Sequence, residues 1–451
     1  MEDILILGIG VSPNKNDGVL RFETYCKSFN LPYKIVGDGK IWNGGDMSAG
    51  AGGGQKVNEL LQVLNEVNEN KLLIVCDTFD LFPVSGVEEI YEKYKKLCNG
   101  NKSIIFSSEV YCWPDKNLAN FYPLTESKYK YLNSGSFMGY RDDLHKLVSN
   151  ILDNDDDQLY YTKKFLQGEN IILDHNCQLF QAINGCKSDI VVHKNRIFNK
   201  YTKSYPIFIH GNGPSKTKKF LNRLENYIEP LLLVDIPKTI ETPQPKVFIA
   251  LYVDTSLLNN FTQFFESVKK IDYDNKEIYI YDKFQNNQIE QLINLLGFVY
   301  KSNITNYEFD DFINSGCDYY CLMEQNYVIT KTTFLKEIIP LFNNHHRIIS
   351  PLLMSKNNSC FTNFWGSLDD KGYYERSEDY LSLVAREKIG LWNVPYISGV
   401  IIFDKSVILN WNLKQYDNYK NDRDMNLCFN LRKYTLFMYM CNLDNYGFIN
   451  F

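Results

Sequence analysis

The stretch LLIVCDTFD, Leu72 to Asp80, decides how the chain reads. Five apolar or small residues, too few for a helix and preceded by Lys71, describe a buried strand that stops at two carboxylates, Asp77 and Asp80. In open α/β sheets ligands sit in the crevice beyond the carboxyl ends of the strands, so acids there face a cavity while their strand stays in the core. Two hard oxygen ligands so placed point to a divalent cation, and a cation points to phosphate. Taken alone, the nonamer reads equally well as a strand ending in a solvated turn.

Upstream, ILILGIGV (Ile4 to Val11) is a strand, followed by a polar turn and an amphipathic helix around Leu20 to Phe29. Gly8 and Gly10 suggest a dinucleotide fingerprint, but no third glycine follows and Pro13 stands where the helix should open, so that reading is rejected. PYKIV (Pro32 to Val36) is a second strand, and a glycine-rich loop runs from Gly37 to Lys56. Val57, Leu60, Leu61 and Leu64 then recur at helical spacing, which places Gly52, Gly53 and Gly54 at a helix N-terminus where free amides favour an anion and Lys56 adds charge. A flexible linker explains the same glycines. It is not a P-loop, since no Ser or Thr follows Lys56. Downstream come a helix from Val87 to Leu97 and a buried strand, SIIFSSE (Ser103 to Glu109). The order β, α, β, α, β predicts a parallel, doubly wound sheet.

The rest of the first half supplies polar punctuation. Trp113 lies beside a proline turn, YLNSGSFMGY (Tyr131 to Tyr140) puts Asn133, Ser134 and Gly135 before an apolar strand, and PIFIHGNGPSK (Pro206 to Lys216) is a strand ending in His210. Such a histidine, followed by glycine-rich backbone and a lysine, suits a carboxylate metal site that holds a diphosphate. Asp153, Asp155, Asp156 and Asp157 open a helix, where carboxylates suit the dipole, or face a substrate. Residues 234–245 are proline-rich and aperiodic and read as a linker between domains at 1–233 and 246–451. The second half repeats the first weakly. DYYCLMEQNYVI stands where LLIVCDTFDLFPV stood and YISGVIIFD resembles LNSGSFMGY, but Glu324, Gln325 and Asn326 replace the acid pair and HGNG has no counterpart. The second domain therefore reads as a scaffold that kept the fold and lost the metal.

Composition narrows the classes. At 451 residues, 44% hydrophobic and 23% charged, the chain has room for two globular cores, and a net charge of −6 gives no support to nucleic-acid binding. No apolar run is long enough to span a bilayer, and MEDILILGIGVS lacks the basic start of a secretory signal. The 11 cysteines are scattered without a CxxC pair, so core thiols are expected rather than zinc.

Together GGGQK, the DxxD strand end, CWPD, LNSG, DDDQLYYT, LDH (Leu173 to His175) and HGNGP resemble the glycosyltransferase part of the multifunctional procollagen lysyl hydroxylase and glycosyltransferase family. NFWG (Asn363 to Gly366), YYERSEDY (Tyr373 to Tyr380) and LWNVPYIS (Leu391 to Ser398) resemble that family's accessory domain. The resemblance implies two tandem GT-A (Rossmann-like) glycosyltransferase-type domains in an α/β chain, the second non-catalytic. It implies Mn²⁺ held by Asp77, Asp80 and His210, and a UDP-sugar donor. Lys56 and Lys216 would neutralise the diphosphate, Asn212 and Gly213 contact it, Trp42 belong to a flap over UDP, Val11 line the uridine pocket and Phe79 stack on uracil. Trp113, Asn133, Asp156, Asp157 and Gln158 match the sugar and acceptor side. Phe79 stands where the family has tyrosine and Pro13 where it has threonine, so two nucleotide contacts differ. The implied reaction moves glucose from UDP-glucose to hydroxylysine or galactosylhydroxylysine of collagen-like polypeptides; galactosyl transfer from UDP-galactose and a non-catalytic collagen-binding adaptor are the alternatives. The family works in the endoplasmic reticulum lumen. Its hydroxylase domain, marked by an HxD, is expected to follow the accessory domain in a longer protein, because none of the six histidines here is followed two residues later by Asp.

Overall fold

A computed structural model of the protein describes residues 4–46, 50, 52–67, 69–228, 244–253, 261–285, 287, 289–290, 298–302, 304, 307–357, 360–413, 418–419 and 422–450. Most of the segment read as a linker, 234–243, lies outside them. The chain divides into two units, Met1–Pro230 and Leu231–Phe451.

The first unit lays down strands β1 (Ile4–Ser12), β2 (Tyr33–Asp38), β3 (Leu72–Asp77), β4 (Leu81–Pro83), β5 (Ile104–Glu109), β6 (Tyr131–Tyr140), β7 (Ile171–Leu173), β8 (Phe180–Ala182), β9 (Ile190–His193), β10 (Arg196–Asn199) and β11 (Phe208–His210). Its helices are α1 (Asp17–Ser28), α2 (Gly54–Glu66), α3 (Val87–Cys98), α4 (Arg141–Leu147), α5 (Asp157–Leu166) and α6 (Ser215–Glu225). The main sheet has the order β2-β1-β3-β6-β5-β7. Leu73 and Val75 of β3 pack on one face with Val57, Leu60 and Leu64 of α2, while Leu72, Ile74 and Cys76 pack on the other with Phe22 of α1 and Ile90 of α3. Both faces are covered, which is why the strand is apolar at every position rather than at alternate ones.

The sheet is mixed, not parallel. β1 pairs in parallel with β2 and β3, and β5 with β7, but β6 lies between β3 and β5 and is antiparallel to both. The connection from β5 to β6 holds only a short 3₁₀ turn, Lys116–Phe121, so the chain returns without a crossover helix, as antiparallel neighbours allow. Where β6 passes from Phe137, opposite Phe106, to Asn133, opposite Ser107, the register skips residues 134–136. That skip sets the NSG tip beside the sheet's carboxyl ends. Gly8 and Gly10 leave room for Thr78, whose side chain lies 2.7 Å from where a Cβ on either would sit.

In the second unit the strands Lys276–Asp282, Val247–Val253, Tyr319–Glu324, Val400–Asp404, Ile348–Pro351 and Met438–Cys441 are neighbours in that order. They repeat β2-β1-β3-β6-β5-β7 with the same sense at each pairing. The small sheet β4-β11-β8 has a counterpart with the same pairing senses in Tyr327–Ile329, Gly447–Ile449 and Met354–Ser355, although Met354–Ser355 follows the counterpart of β5 whereas β8 follows β7. The weak duplication in the sequence is thus a duplication of topology.

At the start of α2 an added Cβ on Gly54 would lie 2.1 Å from the Leu152 carbonyl oxygen. Alanine ordinarily gains about 1 kcal/mol over glycine in a helix. Gly54→Ala is expected instead to lose about 1–3 kcal/mol through overpacking. Denaturant unfolding reads the sign directly, and a gain in stability would contradict the packing described.

Candidate active site

Pairing of two short strands assembles the site. β4 begins directly after Asp80 and β11 ends on His210; Leu81 lies opposite His210, and the Gly211 N–H donates to the Asp80 carbonyl at 2.8 Å. Asp77 ends β3, opposite Ile9 of β1. His210 Nε2 consequently sits 3.4 Å from Asp80 Oδ1 and 3.8 Å from Asp77 Oδ2. One ligand atom from each of the three lies within 4.8 Å of the others. Ligands about 2.1 Å from a single ion stand roughly 3 Å apart when adjacent and 4.2 Å when opposed, so the set fits one divalent ion. Two carboxylates and an imidazole suit Mn²⁺ as well as any first-row ion.

The orientation of the histidine ring is set by Asn133. His210 Nδ1 faces Asn133 Oδ1 at 3.2 Å, and Asn133 is oriented by donating Nδ2–H to Glu109 Oε1 at 3.0 Å. With Nδ1–H donating to Asn133, Nε2 is the nitrogen that faces the two acids, and it would bind a metal on losing its proton. Gly135 is required here, because a Cβ would lie 2.1 Å from the imidazole ring.

Two lysines stand among the acids. Lys56 Nζ lies 3.1 Å from Asp77 Oδ1 and 2.8 Å from Asp157 Oδ2; Lys218 Nζ lies 3.3 Å from Asp80 Oδ2. Burial raises Asp77, and its neighbours Lys56 and His210 only partly offset that, so its pKa stays above the usual carboxylate value. Burial acts on Asp80 in the same direction, but Lys218 and His210 hold it well below that range. Burial lowers Lys56, yet Asp157 and Asp77 outweigh it and raise the ammonium. His210 behaves alike: burial lowers it, Asp80 and Asp77 raise it, and the net direction is up.

Glu109, at the end of β5, is a functional residue that the sequence reading passed over. It is buried and accepts from Asn133 Nδ2, from Gln158 Nε2 at 2.9 Å and from Asn212 Nδ2 at 3.0 Å. Burial raises its pKa despite these donors. The available signal was its position, an acid closing an apolar strand just as Asp77 does.

Lys56, Asp77, Asp80, Asn133, Asp157, His210 and Asn212 thus join one network. The other candidates are placed differently. Asp156 caps α5, accepting the Leu159 N–H at 2.7 Å, so the helix-start reading of the acidic run applies to it, while Asp157 reaches Lys56. Val11 and Trp42 pack with the core on the α2 side, and Trp42 Nε1 donates to the Gly45 carbonyl at 2.7 Å. Phe79 is half-buried, Trp113 is half-exposed with its carbonyl accepting from Gln158 at 3.4 Å, and Gly213, with a φ of +80°, and Lys216 are exposed. The amides expected to cradle an anion are not free: Gly54 N–H donates to Asp155 O at 2.8 Å, Gln55 N–H to Asp153 O at 2.9 Å and Gly53 N–H to Gly44 O at 2.8 Å. The glycines instead let backbones meet, and what the α2 start offers the site is the Lys56 side chain. In LDH, Asp174 accepts the N–H groups of Gln178, Leu179 and Phe180 and fixes a turn.

A mixed α/β unit of this strand order, with an acid pair at a central strand end and a histidine on the adjoining strand, has the architecture of a GT-A glycosyltransferase. Residues 2–235 match the family model described as PLOD GT domain, and residues 312–451 match that of Glycosyltransferase family 25, N-terminal domain. The chain belongs to the PLOD glycosyltransferase family. "Uncharacterized protein R699" of Acanthamoeba polyphaga mimivirus is 52% identical over 99% of this chain and 98% of its own length. Procollagen-lysine,2-oxoglutarate 5-dioxygenase 2 of Mus musculus is 34% identical over 98% of the chain, and procollagen-lysine,2-oxoglutarate 5-dioxygenase 1 of Gallus gallus 31% over 99%. The chain spans 64% and 66% of the lengths of those two relatives. Among the described residues no helix is long and apolar enough to cross a membrane.

Lys56→Met leaves Asp77 and Asp157 facing each other without their cation. A loss of about 3–5 kcal/mol is expected near neutral pH, the usual cost of removing one member of a buried pair. Asp77 is already raised, and without Lys56 it rises further, so the folded state binds more protons than the unfolded state and stability grows as pH falls. The deficit should therefore shrink as the pH is lowered from neutral into the acid range. Thermal unfolding of both proteins across that range checks it; a deficit that widens toward acid pH contradicts the arrangement.

Proposed function

We propose that the first unit transfers glucose from UDP-glucose to hydroxylysine or galactosylhydroxylysine of collagen-like polypeptides, with Mn²⁺ bound by Asp77, Asp80 and His210. The observation that carries this reading is the three-ligand cluster, with the histidine ring oriented by Asn133. The collagen-like acceptor is supported by the likeness to procollagen-lysine dioxygenases, whose name states what they act on. Mn²⁺ bound at these ligands would supply Lewis acidity toward the departing diphosphate.

The chain's own residues supply the rest. UDP leaves slowly unless its developing charge is neutralised, and Lys56, Lys216 and Lys218 are the cations nearest to that task, with Asn212 and Gly213 as its polar neighbours. Lys218 is an addition to the set, since it already pairs with Asp80. Val11, Trp42 and Phe79 form the nucleoside side of the proposal. On the acceptor side stand Trp113, Asn133, Asp156 and Asp157, with Asp157 held by Lys56 and by Ser134, whose hydroxyl donates to it at 3.2 Å. The carboxylates hold the metal and orient the acceptor.

The second unit is read as an accessory domain. At the position of Asp80 it has Asn326, whose carbonyl accepts from the Asn450 N–H at 2.8 Å as Asp80 does from Gly211, and opposite the first residue of the adjoining strand Ile449 replaces His210. Glu324, at the place of Asp77, accepts from Tyr307 at 2.7 Å and faces Arg423 at 3.6 Å. Glu324 and Asp424 share the Tyr307 hydroxyl and Glu324 also faces an arginine, so these acids are already engaged, and no histidine stands at the place of His210.

The test is a donor screen with Mn²⁺ and a hydroxylysine peptide, comparing UDP-glucose, UDP-galactose and UDP-xylose. Transfer from UDP-glucose alone is expected. Asp77→Asn and His210→Ala should each lower transfer by roughly a hundredfold or more while leaving the unfolding transition cooperative, and EDTA should abolish wild-type transfer until Mn²⁺ is restored. Full activity of either variant with Mn²⁺ present would sink the site assignment.

A further inference from the structure

One buried arginine lies directly behind the acid turn. Arg21, on α1, is 1% exposed, and its guanidinium reaches three other parts of the first unit. Nη1 donates to Asn222 Oδ1 at 2.8 Å and to Glu225 Oε2 at 2.9 Å, both on α6; Nη2 donates to the Phe79 carbonyl at 3.4 Å; and the guanidinium carbon lies 5.1 Å above the Phe82 ring. Glu225 is itself 3% exposed. Gly18, one turn earlier on α1, has no space for a Cβ, because the Phe79 backbone lies 2.3–2.7 Å from where it would sit. Helix α1 is therefore pressed against the backbone between Asp77 and Asp80 and grips it through Arg21.

A charge pair this deep is weak evidence for stability alone, since apolar residues of similar volume often serve as well. The shape of the contacts suggests another use. A planar guanidinium makes several directed bonds at once, which a lysine ammonium on a flexible stem cannot reproduce. Two of them fall on α6, whose first turns carry Lys216 and Lys218, and one falls on the turn that carries the acids.

We propose that Arg21 is a positioning residue for the metal and diphosphate site: through Phe79 and Glu225 it fixes the Asp77–Asp80 turn and the lysine-bearing helix α6 in one mutual geometry. This rests on the reading of Asp77, Asp80 and His210 as a metal site, but the residue itself touches neither metal nor substrate. The same turn is held at two further points, by Gly211, whose N–H donates to the Asp80 carbonyl, and by Thr78, whose hydroxyl donates to Ile9 O at 3.0 Å.

The experiment measures Mn²⁺ binding directly, by calorimetry or by loss of the free-ion resonance signal, and thermal unfolding, on wild type, Arg21→Lys, Arg21→Met and the apolar pair Arg21→Met with Glu225→Leu. Arg21→Lys keeps the charge beside Glu225 and the stem over Phe82 but loses the fork. Its Mn²⁺ affinity should fall roughly tenfold or more, as for partners just outside a metal's ligand shell, and the concentration of UDP-sugar giving half-maximal rate should rise while the rate at saturation stays near wild type. The apolar pair should recover thermal stability relative to Arg21→Met alone without recovering Mn²⁺ affinity. Arg21→Lys binding Mn²⁺ as wild type does overturns the proposal, as does an apolar pair in which affinity returns together with stability. Wild type that binds no Mn²⁺ overturns the reading of the metal site and the role of Arg21 with it, an outcome distinct from the other two.

Discussion

The antiparallel pairing of Leu81–Pro83 with Phe208–His210 is the constraint on which the site depends. A strand end presents acids, but the third ligand comes from far along the chain, and only the register of this short sheet decides which residue of β11 faces them. With His210 opposite Leu81, the imidazole lands beside the residue that precedes Leu81, which is Asp80. A slip of one residue would turn the histidine to the other face, as it would in any pleated strand. The sheet is buried, so its register is set by packing rather than by the ligands it positions: Phe82, Phe180 and Phe208 are all fully enclosed.

Once assembled, the site must hold several carboxylates in a place with little water. Asp77, Asp80, Glu109 and Asp157 lie in one neighbourhood, and each is met by a specific partner rather than by solvent: Lys56, Lys218, the amides of Asn133, Gln158 and Asn212, and Lys56 again. The opposite shifts of Asp77 and Asp80 follow from this arrangement. Asp80 has a lysine and the histidine close by, whereas Asp77 shares its lysine with Asp157. A like-charged cluster of this kind is where a divalent ion gains most, because it relieves repulsion that burial magnifies.

Much of this was legible in the sequence, and the limits are physical. LLIVC reads as a covered strand because its apolar run needs no partner to be recognised, and the acids that end it, together with His210, stand out as charged groups at apolar ends. Strand direction did not follow: whether β6 runs with or against β3 depends on a connection whose path no local pattern records. The glycine loop misled for a related reason. Glycines before a helix promise free amides, but Gly54 is there so that the carbonyls of residues 152–155 can approach, and those carbonyls take the amides of Gly54 and Gln55, while Gly53 leaves room for the Asp157 carboxylate. Glu109 and Lys218 were missed because each gains its meaning from a neighbour in space, Asn133 and Asp80, rather than from its own spacing.

The second unit separates what the frame does from what the charges do. It keeps the order of six strands, the sense of each pairing and even the small sheet in which Tyr327 lies opposite Ile449. With isoleucine and asparagine at two of the ligand positions the pairing still forms, so the geometry of β4 and β11 does not need a metal to hold it. In the first unit the backbone likewise places Asp80 and His210 by strand pairing, so the binding energy of an ion would not be spent on folding the turn. The same reasoning explains Gly135 and its counterpart Gly399: a Cβ would press on the His210 ring in one and on the Tyr327 ring in the other, so the frame reserves space at that point whichever ring fills it. The chemical difference between the two units is then a matter of which side chains stand on a shared backbone.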